Sequence, residues 1–193
     1  MEKVQPKVSI TMLTYGHEKY IRQAIDSVLM QKVNFTYELI IAEDCSPDNT
    51  RAILYEYKKK FPDKIKLLLQ HENVGITKNA IMARELCTGE YKAFCEGDDY
   101  WTDPYKLQKQ VDFLDNHPDY IGVVHQINVV DETGRPKKGF WDNMYCKDEI
   151  CDLSHIQRMI MPGQTSTRVF RNLFNNMPQD ILELYDSCHV VAD

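Results

Sequence analysis

Four short apolar runs, each followed by a turn and most by a stretch with helical spacing, limit what this chain can fold into more than any other feature. Val8 to Leu13 (VSITML), Glu38 to Ala42 (ELIIA), Ile65 to Leu69 (IKLLL) and Tyr91 to Cys95 (YKAFC) read as strands. Between them, Ile21, Ala24, Ile25, Val28 and Leu29 recur at helical spacing within Glu18 to Gln31. Ile53, Leu54 and Tyr57 mark a second helix ending in Lys58 to Lys60, and Thr77 to Cys87 makes a third. Lysines suit the negative end of the helix dipole, so that run reads as a solvated terminus. Ser46-Pro47-Asp48 reads as the start of the second helix, with Ser46 as N-cap. The βαβαβαβ order with short loops predicts an α/β fold with a mainly parallel central sheet flanked by helices on both faces. Such sheets bind ligands beyond the C-terminal ends of their strands. Thr14-Tyr15, Glu43-Asp44 and Gly97-Asp98-Asp99 all fall there.

After residue 100 the rhythm changes. Leu107 to His117 is an amphipathic helix, and Ile121 to Val130 is a strand that stops at the turn Asp131 to Gly134. Residues 135–150 form a polar, aromatic loop. Asp180 to Ser187 reads as a helix, and His189 to Asp193 as an apolar segment cut within an element. A length of 193 residues suits one packed domain.

Composition serves mainly to exclude. A formal net charge of -6 and a pI near 5.5 disfavour nucleic acid and anionic lipid. A nucleotide ligand stays open, because a metal or a helix N-terminus can meet its phosphates locally. Met1 to Pro6 lacks the apolar core of a signal peptide. No run approaches the roughly 18 apolar residues of a membrane span, so the chain reads as cytoplasmic. Asn34-Phe35-Thr36 is then a chance sequon. The 6 cysteines are scattered and form no CxxC pair, so they read as reduced, buried small hydrophobes. Neither a disulfide framework nor a zinc site has its usual spacing, and the 6 histidines show no pair at metal-ligand spacing.

The most informative cluster is Cys95-Glu96-Gly97-Asp98-Asp99-Tyr100-Trp101. Packed carboxylates raise one another's pKa unless a cation neutralises them. A hard divalent ion that takes oxygen ligands and bridges to phosphate is one natural partner; an acidic turn with capping aspartates is the other reading. In Glu43-Asp44-Cys45-Ser46-Pro47-Asp48-Asn49-Thr50, the Asp44 carboxylate ends a strand, where it can accept a hydrogen bond from a base or sugar edge. Ser46 and Asp48 read as turn caps. Thr14 and Tyr15 offer a hydroxyl and an aromatic face for a planar base, or are ordinary loop residues.

Taken together, Thr14-Tyr15, Glu43 to Thr50, Asn73-Val74-Gly75, Gly89-Glu90-Tyr91 and Gly97-Asp98-Asp99 stand in an order that resembles the family 2 glycosyltransferases of the GT-A (Rossmann-like) fold, most strongly over residues 8–120. The resemblance implies a nucleobase pocket of Thr14, Tyr15 and Asp44, with Asp44 on the uracil edge. It implies that Asp98 serves the ribose and the metal side and that Asp99 ligates Mn2+ or Mg2+ against the diphosphate. Glu96 stands where the family usually has Asp. Lys78-Asn79 lies near the family's Arg-Asn pair, which makes Asn79 a nucleotide contact, and Arg84 is a second basic candidate. Asp193, after an apolar run, fits the late catalytic base, and Gln164 to Thr167 with Phe170-Arg171 resembles the acceptor-side segment before it. The implied protein is one domain over 1–193, with a nucleotide-binding part at 1–105, an acceptor-side part at 106–193 and truncation at the C-terminus.

The implied activity is inverting transfer of a sugar from a nucleotide-diphosphate donor, UDP-linked, to an acceptor hydroxyl in polysaccharide or glycolipid assembly. A lipid-linked or glycan acceptor and a peripheral membrane contact at the inner face, through the missing C-terminus, go with it. Two alternatives stay open: a non-catalytic nucleotide-sugar-binding module, and a sugar-phosphate nucleotidylyltransferase. Against the second, Thr14 to Glu18 is not a Gly-rich basic phosphate loop. Neither GxGxxG nor Gly-Lys-Ser/Thr occurs.

Overall fold

Strand β1 (Val8–Thr14) occupies the middle of the sheet. It pairs in parallel with β2 (Tyr37–Glu43) on one side and β4 (Tyr91–Phe94) on the other. Beyond β2 lies β3 (Ile65–Leu69), also parallel. Beyond β4 come β6 (Val169–Arg171), antiparallel to β4, and then β5 (Gly122–Val123), giving the order β3-β2-β1-β4-β6-β5. The computed structural model describes residues 5–137, 145–146, 148–152, 154–155 and 162–173.

Side-chain alternation in the central strands decides which helix goes where. Val8, Ile10 and Met12 of β1 and Leu39 and Ile41 of β2 face α1 (Ile21–Leu29), α2 (Thr50–Lys60) and α4 (Lys106–Asn116), in one core with Ile25, Leu54, Leu107 and Leu114. Ile40, Ala42, Leu13 and Leu68 take the other face, under Ala83 of α3 (Ile76–Glu85) and Cys87. Each Leu or Ile taken fully out of water here contributes roughly 1.5–3 kcal/mol. Buried on both faces, β2 is covered at every residue, which explains its unbroken apolar run.

The chain runs outward from β1 to β2 to β3, then returns to pair β4 on the opposite side of β1. That reversal opens a crevice at the carboxyl ends of β1 and β4, the general ligand position of open α/β sheets. The expected fold class is therefore the one observed.

Three local expectations change. Ser46 does not cap α2: its hydroxyl accepts from Gly16 N at 3.0 Å, while Asp48 Oδ1 accepts from Thr50 N at 3.0 Å. The first helix is shorter than its periodic stretch, because Glu18 is drawn into a loop contact with Asn49. The strand expected over Ile121 to Val130 is reduced to Gly122–Val123, because β6 offers only three residues to pair with. From His125 onward the chain lines a cavity instead. The expected helix Asp180 to Ser187 and the segment His189 to Asp193 lie outside the described residues. Among the described residues, no helix is long and apolar enough to cross a membrane.

Candidate functional site

The loops after β1 and β2 are tied to each other before any ligand is considered. Asp44 N donates to Thr14 O at 3.1 Å, which holds the two strand ends together. Glu18 N donates to Asp48 Oδ2 at 3.0 Å, and Asn49 donates through N and Nδ2 to the Glu18 carboxylate at 3.1 and 2.9 Å. Cys45, between them, sits at φ 61, a left-handed conformation rare for a residue with a side chain. Such backbone concentrates where the surrounding structure over-determines it, as functional loops do.

Thr14 is buried, with its hydroxyl 3.2 Å from His17 Nδ1. Gly97 lies against this pair: a Cβ there would stand 2.6 Å from His17 Nδ1 and 2.8 Å from Thr14 Oγ1. Only glycine lets the end of β4 approach the end of β1 this closely. His17 Nε2 then faces Asp98 Oδ2 at 3.9 Å. Tyr15 is 47% exposed, so its ring stands on the rim.

Asp44 is buried and already engaged: Oδ1 accepts from Val74 N at 2.8 Å and Oδ2 from Gly75 N at 3.0 Å. It fixes the Asn73-Val74-Gly75 loop, and each oxygen keeps a second acceptor site. Its neighbour Glu43 is fully buried and pairs with Arg51, whose Nη2 also donates to Gln70 O at 2.6 Å. Asn79, expected as a nucleotide contact, sits between β2 and α3. It is 2% exposed, donates to Ala42 O at 3.0 Å and accepts from Gln70 Nε2 at 3.0 Å. These bonds brace β2 against α3 and leave one N–H and one lone pair of the amide over. Lys78, on the same helix, is exposed, and Arg84 lies in its last turn.

The acidic loop after β4 is held from the far end of the chain. Ser166 Oγ donates to Asp99 Oδ2 at 2.6 Å and Gln164 Nε2 to the same oxygen at 2.7 Å. Glu96 N donates to Ser166 Oγ at 2.9 Å, and Trp101 Nε1 to Ser166 O at 2.7 Å. The segment matched only by analogy to an acceptor side thus anchors Asp99 directly. Beside it lies a cavity of 1080 Å³ whose lining includes Asp98, Asp99, Lys106, His125, Tyr145 and Gln164.

The electrostatics of this cavity are unbalanced. Burial, with the charges of Asp99 and Asp98 added, pushes the Glu96 carboxyl up to about 7. Burial lowers the Lys106 ammonium to about 7. Its Nζ lies 3.8 Å from the centre of the Trp101 ring and has no hydrogen-bond partner among the described residues. His125 is held below its usual range, again chiefly by burial.

A divalent cation is implied by the resemblance, and the residues fit one. Glu96, raised chiefly by burial and further by the charges of Asp99 and Asp98, stands beside them at the end of β4. Asp98 is 54% exposed on its side chain. Both hydrogen bonds to Asp99 fall on Oδ2, so Oδ1 takes none among the described residues. One or two carboxylates at a phosphate-sized opening are how Mg2+ is commonly held, with water and substrate completing the shell.

Thr14 and Asp44 thus stand at joined strand ends, Gly97 packs on Thr14 and His17, Asp98 faces His17, and Asp98 and Asp99 line the adjoining cavity, with Tyr15 exposed nearby. Asp193 lies outside the described residues. Sequence reasoning passed over His17, Arg51 and Lys106. Lys106 did leave a signal: it shares the buried stripe of α4 with Gln110 and Leu114, where an amphipathic helix should be apolar.

Comparison with known proteins adds to this geometry. The model of glycosyl transferase family 2 matches residues 9–174. An uncharacterized protein of Mycobacterium tuberculosis is 35% identical over 185 residues, covering 95% of this chain and 53% of its own length. The minor teichoic acid biosynthesis protein GgaB of Bacillus subtilis is 26% identical over 186 residues, 96% of this chain and 20% of its own. Among solved structures, S. aureus TarS 1-349 in complex with UDP superposes with a TM-score of 0.66 at 25% identity, covering 93% of this chain and 52% of that one. The same protein with UDP-GlcNAc gives 0.65 at 26%, covering 88% and 47%. The chain spans about half the length of the first of these relatives.

Proposed function

The chain belongs to glycosyl transferase family 2 and has the GT-A fold, and from that premise we propose that it moves a sugar from a UDP-linked donor to a hydroxyl of a polysaccharide or glycolipid acceptor, with inversion. One observation carries this reading: the carboxyl ends of β1, β2 and β4 meet, so that Thr14, Asp44 and Asp98 lie on adjoining loops. The UDP and UDP-GlcNAc held by TarS support a uridine donor, and the teichoic acid role of GgaB supports a surface polymer as destination.

In this reading Tyr15 covers the base, and Asp44 accepts from the base edge with the acceptor sites its loop bonds leave over. Thr14 closes the floor of the pocket. Asp98 meets the ribose and, with Asp99, would hold Mn2+ or Mg2+. When bound, that ion supplies positive charge to the departing diphosphate. Lys106 brings to the cavity wall an amine, lowered to about 7 by burial, that is only partly charged near neutral pH. A base removes the acceptor hydroxyl proton, the freed oxygen attacks the anomeric carbon from the face opposite the leaving group, and the carbon–oxygen bond to the diphosphate breaks. We assign the base to Asp193 from the family resemblance. Residues 1–105 form the nucleotide side and 106–193 the acceptor side, with Gln164 and Ser166 reaching back across that division.

The test is thermal stability with UDP, GDP, CDP and dTDP, each with Mn2+ or with EDTA. A ligand that binds only the native state stabilises by RT ln(1 + [L]/Kd), about 2.7 kcal/mol at a hundredfold excess over Kd. The expected result is a metal-dependent shift with UDP that is lost in Asp99→Ala. No shift with any nucleotide would overturn the donor-site assignment. A UDP shift without sugar transfer to any acceptor would reduce the chain to a binding module.

A further inference from the structure

Away from the crevice, Cys146, Cys151 and His155 bring two thiols and an imidazole together, with their ligand atoms all within 4.8 Å of one another. The spacing is C-x4-C-x3-H, outside the common zinc patterns, which is why the sequence alone did not mark it. Tetrahedral Zn2+, with bonds of about 2.0–2.3 Å, holds its ligand atoms roughly 3.3–3.8 Å apart, so closing this cluster on an ion takes a movement of about one ångström. Two carboxylates complete the surroundings. Asp148 Oδ2 lies 2.8 Å from His155 Nε2, and Asp152 Oδ1 lies 2.8 Å from His155 Nδ1. Asp152 is in turn fixed by Ser154 N and Oγ, at 2.9 and 2.7 Å. A carboxylate that holds the imidazole nitrogen facing away from the ion is the usual support of a metal-ligating histidine. The His155 side chain is only 13% exposed, while the Asp148 and Asp152 side chains stand mostly in solvent.

We propose that Cys146, Cys151 and His155 bind Zn2+ as a structural site, with Asp148 as fourth ligand and Asp152 orienting the imidazole. The donor set decides the metal class: thiolate and imidazole select zinc over the hard Mg2+ or Mn2+ suited to Asp98 and Asp99. Binding takes both cysteines as thiolates, so their protons are released to solvent, and His155 Nε2 gives its place beside Asp148 to the ion. The site follows directly on Tyr145, which lines the cavity, so the ion would tie the start of this segment to the cavity wall.

The experiment uses the untagged full chain, stripped of metal under reducing conditions and titrated with Co2+ and then Zn2+. The expected result is one Co2+ per chain with the intense visible absorption of tetrahedral thiolate ligation, bleached by Zn2+. It is lost in Cys151→Ser and His155→Ala and kept in Asp99→Asn, which separates this site from the donor site. Failure of the wild-type protein to give the absorption, or its survival in Cys151→Ser, would overturn the proposal. Alkylation followed by mass spectrometry covers a variant that does not fold. In the wild-type chain Zn2+ should slow labelling of Cys146 and Cys151 several-fold and leave Cys45 unchanged. Equal labelling with and without Zn2+ would refute the site.

Discussion

The loop cluster at the ends of β1 and β2 and the cavity beside α4 sit on the same edge of the sheet but are built in opposite ways. In the loop cluster nearly every polar group has an internal partner: Asp44 with Val74 and Gly75, Glu43 with Arg51, Glu18 with Asn49. Around the cavity, charge is left uncompensated, with Glu96 pushed up to about 7 and Lys106 down to about 7. A preformed half binds without paying for reorganisation, whereas buried groups short of partners interact strongly with any charged ligand in a low dielectric. In the function proposed above, the first half sets the position of the base and the second acts on the charge that moves.

Four variants break or sharpen that contrast. Arg51→Met should have the largest effect on stability: fully buried Glu43 would lose its cationic partner, at a cost of about 3–5 kcal/mol read by denaturant unfolding. A cost below 1 kcal/mol would show that the loop cluster is less tightly interlocked than its bonds suggest. Asp99→Asn should leave folding intact and lower transfer by about 10²–10³-fold, because an electrostatic group at the leaving charge is lost. Its kcat against UDP-sugar is the measurement, and an unchanged kcat would make Asp99 only an anchor for Ser166 and Gln164.

Gly97→Ala tests the seam between the halves. The added methyl meets Thr14 and His17, and roughly 1–3 kcal/mol should be lost as the ends of β1 and β4 are forced apart. Thermal unfolding measures it, and weakened UDP binding should accompany the loss.

A further effect is a pH dependence. Lys106 has a folded pKa of about 7 against 10.5 in the open chain. Between those values the unfolded chain carries more protons, so this group makes stability rise with pH from about 7 to about 10.5. Below pH 7 its full destabilisation stands. Lys106→Met should therefore gain most over the parent near pH 6 and nothing near pH 11, followed by chemical denaturation across that range. Reduced transfer in the same variant would tie the buried charge to the reaction.

The element order, the parallel sheet and the crevice motifs were legible in the sequence because each is written within a short window. Period-two and helical spacing set the strands and helices, and turn residues after β1, β2 and β4 marked the ligand edge. The weaker part was the chain beyond residue 120, where β5 shrank to two residues and periodicity carried little. The partners of Asn79, Gln70 and Ala42, were not legible for a related reason: they are decided by how α3 packs on β2.

What only the tertiary structure decided is the company the motif residues keep. Insertion of β6 between β4 and β5 carries Gln164 and Ser166 onto Asp99, across 65 and 67 positions of sequence. Packing of α4 against Trp101 buries Lys106. Local chemistry could nominate Asp44, Asp98 and Asp99 by themselves. Their hydrogen-bond partners, and with them the electrostatics of the site, follow from strand order, which depends on the sum of packing over the whole sheet and not on any one stretch of chain.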